Sequence, residues 1–198
     1  MKNYDIYNYS LTLNNDLKIN IDDIIDIEKY TIEKLNQNNI EHYAKVNALA
    51  WLQSYKGIVN DKFLKLINTE EEIQKAITNL KNNMYDTSKR FLLKVDNQYI
   101  GILRIRKTKY NNYSDYGELG ALYLLDSAKK KGFGKILFEK AMEELKQMGY
   151  QKMIVGCLTK NSANEFYKHL GGKFLDTSPL TLPNGEKVIE NLYSYDIK

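Results

Sequence analysis

One central segment constrains the fold of this chain most, because its hydrophobic pattern changes from strand to helix and back to strand. Residues 118–125 are almost all apolar, which predicts a strand buried on both faces. Residues 132–148 carry their apolar side chains on one helical stripe and are followed by Gly149, a typical helix C-cap. Residues 153–158 form a second apolar run. The segment therefore predicts a β-α-β unit with two parallel strands.

Shorter patterns on either side add hairpins and helices. Alternating residues predict strands over 91–95 and 99–108, around the turn Asp96-Asn97, and over 173–181 and 188–197, around Pro183-Asn184-Gly185. Helical spacing predicts helices over 40–53, 70–82 and 162–170. In the last of these, Ser162 and Glu165 fit a capping box.

The first forty residues are the least informative part of the sequence. Residues 5–12 fit a strand, and residues 22–36 fit a short amphipathic helix. We find no linker or internal repeat. The chain is thus predicted to be one α+β domain over residues 1–198, with a mixed, mostly antiparallel central sheet, a β-α-β core and flanking helices.

Composition narrows the class of protein. The 198 residues include one cysteine, Cys157, so an intrachain disulfide framework is excluded, and we expect a small buried thiol in a cytoplasmic protein. No apolar stretch has the length of a signal peptide or a membrane span, so we expect neither secretion nor membrane insertion. The net charge of +4 does not predict nucleic-acid binding. His42 and His169 have no ligand set at metal spacing, so we expect no metal site.

The loop between the apolar strand and the long helix is predicted to bind an anion. Residues 129–135 read Lys-Lys-Lys-Gly-Phe-Gly-Lys, so positive charge accumulates where the helix dipole favours negative charge. Free amides at a helix start, flexible glycines and nearby ammonium groups suit a phosphate or pyrophosphate. A solvated lysine cluster is the alternative. A Walker A loop and a dinucleotide fingerprint are both excluded, because the Lys-[Ser/Thr] pair and the third glycine that they need are absent.

Three blocks of sequence resemble one family. Residues 117–125, followed by Lys129-x-x-Gly132-x-Gly134, are similar to the signature of the GNAT superfamily of acetyl-CoA-dependent N-acetyltransferases, which usually reads Q/R-x-x-G-x-G/A after an apolar strand. Residues 161–167 (Asn-Ser-Ala-Asn-Glu-Phe-Tyr) and Gly171-Gly172 resemble its N-x-x-A-x-x-F-Y ending. Residues 51–58 resemble the W-x-x-x-Y-x-G-I run after its first helix. The resemblance covers residues 40–197.

The resemblance implies acetyl-CoA as the co-substrate. Amides of residues 130–135 would hold its pyrophosphate, a bulged and splayed strand would pair with its pantetheine arm, and an amide near Leu124 would stabilise the oxyanion. The residues implied in cofactor binding are Leu122, Tyr123, Leu124, Lys129, Lys130, Lys131, Gly132, Phe133, Gly134, Lys135, Asn161 and Asn164.

The same resemblance implies one catalytic residue, and the need to deprotonate an amine points to a second. Tyr167 would donate a hydrogen bond to the departing sulfur, although its spacing also fits a core residue. Glu118 is the best candidate for the base that deprotonates the amine, since it is the one carboxylate in an apolar strand. Alternatively, Glu118 lies at the exposed start of that strand and has no catalytic role.

We therefore expect an enzyme that moves an acetyl group from acetyl-CoA to a primary amine of a small molecule or peptide, by direct attack in a ternary complex. The alternative is a non-catalytic acyl-CoA-binding or sensing module. The expected partners are acetyl-CoA and the amine acceptor, with no nucleic acid and no membrane, in a monomer or homodimer. The sequence leaves the acceptor open.

Overall fold

A computed structural model of the chain describes residues 30–84 and 86–197. Within these residues, seven strands form one sheet: β1 (Tyr30–Lys34), β2 (Lys89–Val95), β3 (Gln98–Lys107), β4 (Gly117–Leu124), β5 (Lys152–Leu158), β6 (Lys173–Thr181) and β7 (Lys187–Asp196). Their spatial order is β1-β2-β3-β4-β5-β7-β6. All neighbouring strands are antiparallel except β4 and β5. The predicted mixed, mostly antiparallel sheet is confirmed.

Helices cover both faces of this sheet. They are α1 (Ile40–Tyr55), α2 (Asp61–Leu66), α3 (Glu70–Asn82), α4 (Phe133–Gln147) and α5 (Ala163–His169). The crossover from β4 to β5 runs through α4, which packs on one face of the sheet, while α1 packs on the other face and is flanked by α3. We call these faces the α4 side and the α1 side.

The larger core lies on the α4 side. The apolar stripe of α4 buries Leu137 and Leu145 completely, and these side chains belong to the same cluster as Ile105, Leu119 and Val155 of the central strands. Burying each such side chain contributes about 1.5–3 kcal/mol, so this stripe fixes α4 on the sheet. On the α1 side, a smaller cluster joins α1 to β2 and β3.

Most predicted elements are confirmed to within two residues at each end. The helix predicted over 22–36 is wrong where the structure describes it, because residues 30–34 form β1 and pair with β2. Tyr30 and Ile32 point from β1 into the core, so the apolar side chains alternate with a period of two residues. In so short a segment, this pattern does not distinguish a strand from a helix. The strand predicted over 5–12 lies outside the described residues. The six-residue α2 was not predicted; its N-cap is Asn60, whose side-chain oxygen accepts the amides of Lys62 and Phe63.

The parallel pairing between the central strands β4 and β5 is short. β4 and β5 pair only over Gly117–Leu119 and Met153–Val155. The register between β3 and β4 shifts at the same point, so that Gly120 is the extra residue of a bulge. Bulges increase the local twist of a strand. Beyond it, β4 separates from β5, and the facing edges of residues 120–124 and 156–158 have no partner strand among the described residues.

We call the space between residues 120–124 of β4 and residues 156–158 of β5 the gap. It corrects one expectation about β4. The apolar run predicts a strand buried on both faces, yet residues 120–123 are only half-buried. The reason is the divergence of β5, which removes the neighbour that would otherwise cover them.

Candidate functional site

The loop that precedes α4 exposes the start of this helix. Lys130 and Gly132 both adopt left-handed backbone angles, with φ of 61° and 81°. The N-cap position is Gly132, no side chain caps the helix, and its first turn contains no acidic residue. The first amides of α4 therefore lack a side-chain acceptor and carry the positive end of the helix dipole. This geometry fits a pyrophosphate bound at the helix N-terminus.

The lysines around this helix start differ in their partners. Lys129 forms an ion pair with Asp126, 2.7 Å away, within the turn that follows β4. Asp126 in turn donates its backbone amide to Gln53 of α1 at 2.8 Å. Lys129 therefore helps to stabilise the loop. Lys130 and Lys131 have no carboxylate partner among the described residues, so their charges are available to a ligand.

Phe133 and Gly134 hold the start of α4 in place. Phe133 is buried and makes an edge contact with the ring of Tyr30. A Cβ atom on Gly134 would lie 3.2 Å from the ring of Phe166 in α5. The glycine thus allows α4 and α5 to approach closely beside the gap. Its role in this structure includes packing as well as any approach of a ligand to the backbone.

The edge of β4 forms one wall of the gap. Leu122 and Leu124 turn their side chains toward the α4 side, and Tyr123 turns toward the α1 side, where its hydroxyl lies 2.8 Å from that of Tyr55. Since backbone groups alternate in direction along a strand, every second amide and carbonyl of this stretch points away from β3 into the gap. An extended chain with amide groups can pair with such an edge.

Tyr167 lies on α5 at the gap. It is 7% exposed, it stacks on Tyr193, and its carbonyl accepts a hydrogen bond from Tyr195 at 2.6 Å. Among the described residues, no hydrogen bond uses the Tyr167 hydroxyl. Burial, together with the nearby Cys157, Tyr123 and Tyr195, raises the pKa of Tyr167 well above the usual value of a phenol. The side chain is therefore a neutral hydroxyl that is free to donate.

Cys157 is buried beside Tyr167, as the sequence predicted. Burial, with a smaller contribution from Glu190, raises the pKa of its thiol to about 12. The thiolate is the nucleophilic form of cysteine, so this side chain is inert at neutral pH.

Asn164 connects the elements that close the base of the gap. Its Nδ2 group donates to the carbonyls of Leu158, Thr159 and Asn161, and its Oδ1 atom accepts from Asn191 and Tyr193, at 2.6–3.4 Å. The resemblance placed Asn164 among the cofactor-binding residues. Its buried amide has all its hydrogen-bonding partners within the protein, so we interpret it as a positioning residue that joins β5, α5 and β7.

Asn161 begins α5. Its Oδ1 atom accepts the amide of Ala163 at 2.9 Å. The predicted capping box is wrong, because Ser162 makes no side-chain cap and Glu165 pairs with Lys168.

A polar cluster lies on the α1 side of the central strands. Glu118 is 3% exposed; its carboxylate accepts from Arg106 at 2.6 Å and from the Lys109 amide at 2.8 Å. Glu190 of β7 is also buried and accepts from Lys109 Nζ at 3.0 Å and from the Tyr110 hydroxyl at 2.9 Å. Glu118 therefore does not lie at an exposed strand start.

Glu190 was missed by the sequence reasoning. Glu190 lies on the same face of β7 as Val188 and Leu192, which points inward. An acidic residue on the apolar face of a strand is the signal that would have identified it. The described residues contain no cluster of acidic, histidine or cysteine side chains that could hold a metal ion, and no described helix is long and apolar enough to cross a membrane.

The comparisons with known proteins agree with this geometry. Residues 36–171 match the Acetyltransferase (GNAT) family, and the chain belongs to this family. The uncharacterized N-acetyltransferase YuaI of Bacillus subtilis (strain 168) is 25% identical over 138 residues, which are 70% of this chain and 77% of YuaI.

Solved structures share the fold at lower identity. PaiA N-acetyltransferase from Thermoplasma acidophilum, in complex with coenzyme A, aligns with a TM-score of 0.60 and 18% identity over 84% of this chain and 98% of its own. YncA from Salmonella typhimurium, with its cofactor acetyl-CoA, aligns with a TM-score of 0.63 and 13% identity over 86% of this chain and 95% of its own. The GNAT fold expected from the resemblance is confirmed.

The interpretation of Asn164 is testable with Asn164→Ala. This substitution leaves several buried groups without partners, so we expect the free energy of unfolding in urea to fall by about 2–4 kcal/mol. Asn112→Ala, at an exposed position on the turn Asn111–Tyr113, is the control and should change it by less than about 0.5 kcal/mol. Unchanged stability with weakened acetyl-CoA binding would instead make Asn164 a cofactor contact.

Proposed function

We propose that this protein transfers an acetyl group from acetyl-CoA to a primary amine by direct attack in a ternary complex. The observation that carries the proposal is the gap between β4 and β5, which brings together the uncapped N-terminus of α4, two free strand edges and the unbonded hydroxyl of Tyr167. The coenzyme complexes of the PaiA and YncA structures support it. The buried free thiol of Cys157 suits the reducing cytoplasm.

The proposed cofactor-binding residues lie at two positions, the start of α4 and the edge of β4. The amides of residues 130–135, with Lys130 and Lys131, would hold the pyrophosphate at the helix start. The backbone of residues 122–124 would pair with the amide groups of the pantetheine arm, beside Asn161 at the start of α5. When bound, acetyl-CoA supplies the activated thioester carbonyl. A backbone amide near Leu124 would donate to the oxygen of that carbonyl and stabilise the charge that develops there.

Tyr167 would donate a hydrogen bond from its hydroxyl to the leaving sulfur. An ordinary thiol has a pKa of about 8.5 and an ordinary phenol about 10, and burial raises the pKa of Tyr167 further. The phenol is thus the weaker acid, so Tyr167 stabilises the sulfur by a hydrogen bond and keeps its own proton.

Glu118 would accept the proton of the amine. An alkyl amine with a pKa of about 10.4 is almost wholly protonated at neutral pH and must lose a proton before it attacks. Glu118 lies on β4 three residues before Ala121, on the α1 side of the sheet, opposite the side that α4 covers. From this place its carboxylate can receive the proton through water while Arg106 fixes its orientation.

Gly132→Ala tests the role of the helix start. Alanine is strained at a left-handed φ by about 1–2 kcal/mol and displaces the amides that would bind the pyrophosphate. A ligand at 100 times its Kd adds about 2.7 kcal/mol of stability, so the wild-type Tm should rise by several degrees with acetyl-CoA. We expect this rise to be lost in Gly132→Ala.

Gly149→Ala is the matched control, since Gly149 has a φ of 89° at the opposite end of α4. It should lower the basal Tm by a similar amount and keep the rise with acetyl-CoA. If both variants keep the rise, α4 does not hold the cofactor.

Tyr167→Phe tests the hydrogen-bond donor. We expect kcat to fall about 10²-fold or more with little change in the Kd of acetyl-CoA. Because its pKa is raised, Tyr167 keeps its proton as pH rises, and wild-type kcat should show no loss from phenol ionisation up to about pH 10. Tyr150→Phe, beyond the C-terminal end of α4, is the control and should keep wild-type kcat. An unchanged rate in Tyr167→Phe would remove this residue from the mechanism.

Glu118→Gln tests the base. We expect kcat to fall at pH 7 and to recover as pH approaches about 10, where solvent deprotonates the amine. The control is Glu144→Gln, which removes another buried carboxylate, one that pairs with Lys89 and Lys140 on the α4 side. A loss of rate that is equal at all pH values would assign Glu118 a structural role.

A further inference from the structure

Arg104 occupies an unusual position on the α1 side of the sheet. It lies on β3, directly opposite Ala121 of β4 and next to the bulge at Gly120. Its Nη2 atom donates to the Gly120 carbonyl at 3.3 Å, and its Nε atom is buried without a hydrogen-bond partner among the described residues. An unsatisfied buried donor costs about 1–3 kcal/mol, and more when it is charged. The Nε atom of Arg106 is buried in the same way, but Arg106 has a carboxylate partner and Arg104 has none among the described residues. A carboxylate that accepts from the other donors of the Arg104 guanidinium would compensate its charge.

The charges around Arg104 do not cancel. Arg106 pairs with Glu118, and Lys109 pairs with Glu190. Arg104 forms no ion pair with any described residue, so the cluster of Arg104, Arg106, Lys109, Glu118 and Glu190 carries one excess positive charge.

The phenols beside Arg104 cannot supply the missing negative charge. Burial raises the pKa of Tyr43 to about 12, and it raises the pKa of Tyr123 to about 12. The positive charge of Arg104 lowers both pKa values, but burial outweighs it. Both hydroxyls are therefore neutral at physiological pH, and the guanidinium stays uncompensated within the protein.

We propose that the amine acceptor of this enzyme also bears a carboxylate, and that Arg104 binds this carboxylate. The inference rests on the proposed acetyl transfer and names the class of acceptor. A guanidinium offers parallel donors that match the two oxygens of a carboxylate. One excess positive charge fits a monoanion better than a phosphate, which carries nearly two negative charges, and it disfavours a simple diamine.

The position of Arg104 agrees with this role. Arg104 shares the α1 side with Glu118, the proposed base, and its partner Ala121 lies two residues before Tyr123 at the gap. Two residues of strand span about 7 Å. An acceptor held by its carboxylate at Arg104 therefore places its amine toward the gap when a few bonds separate the two groups.

The experiment compares amino acids with the corresponding amides, which lack the carboxylate charge. Glycine, β-alanine, 4-aminobutyrate and 6-aminohexanoate are each assayed beside the corresponding amide, and phosphoethanolamine beside ethanolamine, by release of the coenzyme thiol. We expect kcat/KM to favour the acid over its amide by about 10- to 100-fold in at least one pair. A preference below twofold in all pairs, or a larger one for phosphoethanolamine, overturns the proposal.

Three variants assign the preference to Arg104. Arg104→Gln should bring the ratio of acid to amide close to one, and Arg104→Lys should give an intermediate ratio, because it keeps the charge without the paired donors. Lys107→Gln removes an exposed charge from the same strand and should keep the wild-type ratio. A ratio that survives in Arg104→Gln, when this variant keeps its cooperative melt, also overturns the proposal.

Failure of the proposed function gives a different result. If no amine is acetylated although acetyl-CoA binds, the same pairs are titrated calorimetrically into the protein saturated with coenzyme A. If an acid binds more tightly than its amide, and this difference is lost in Arg104→Gln, the proposed carboxylate site stands and the proposed acetyl transfer is wrong. Equal binding of acids and amides would reject the carboxylate site as well.

Discussion

Parallel pairing between β4 and β5 stops after three residues, and the site of this protein depends on that interruption. The bulge at Gly120 increases the twist of β4 where the two strands separate. A side chain cannot be added there without cost, because a Cβ on Gly120 would lie 3.3 Å from the Nε atoms of both Arg104 and Arg106. The glycine therefore lets two guanidinium groups lie against the bulge, and the same bulge opens the gap beside them.

The gap remains open because other contacts fix its two walls. On one side, β4 continues its ladder with β3 as far as Leu124. On the other, β5 pairs with β7 over its whole length, and the buried amide of Asn164 connects both strands to α5. Tyr167 is thereby held at the gap by its backbone and ring, and its hydroxyl has no hydrogen-bond partner among the described residues. The two faces of the sheet then differ in character: the α4 side is an apolar core with a cationic helix start, whereas the α1 side carries the buried charges that suit an acceptor.

The sequence predicted the β-α-β unit and the glycine-containing loop at the start of its helix because those signals are local. Helical and strand periods are repeated several times in α4 and β5, and the glycines near residues 132 and 149 mark the ends of the helix. Local signals failed where one segment satisfied two patterns. Residues 30–34 fit a helix as well as a strand until pairing with β2 decided between them. At the start of α5, Ser162 occupies the N-cap position, but the side chain that accepts the first helix amide is that of Asn161.

By itself, the sequence determined the family, the order of most elements and the lysine-rich loop at the start of α4, since each of these depends on neighbours within a few positions. Only the tertiary structure decided which charges compensate each other. Glu118 meets Arg106 across two strands, Glu190 meets Lys109 from a strand 81 positions later in the chain, and Arg104 is left without an acid among the described residues. These outcomes depend on strand order and on a single bulge, because a shift of one residue in register would turn the same side chains to the opposite face.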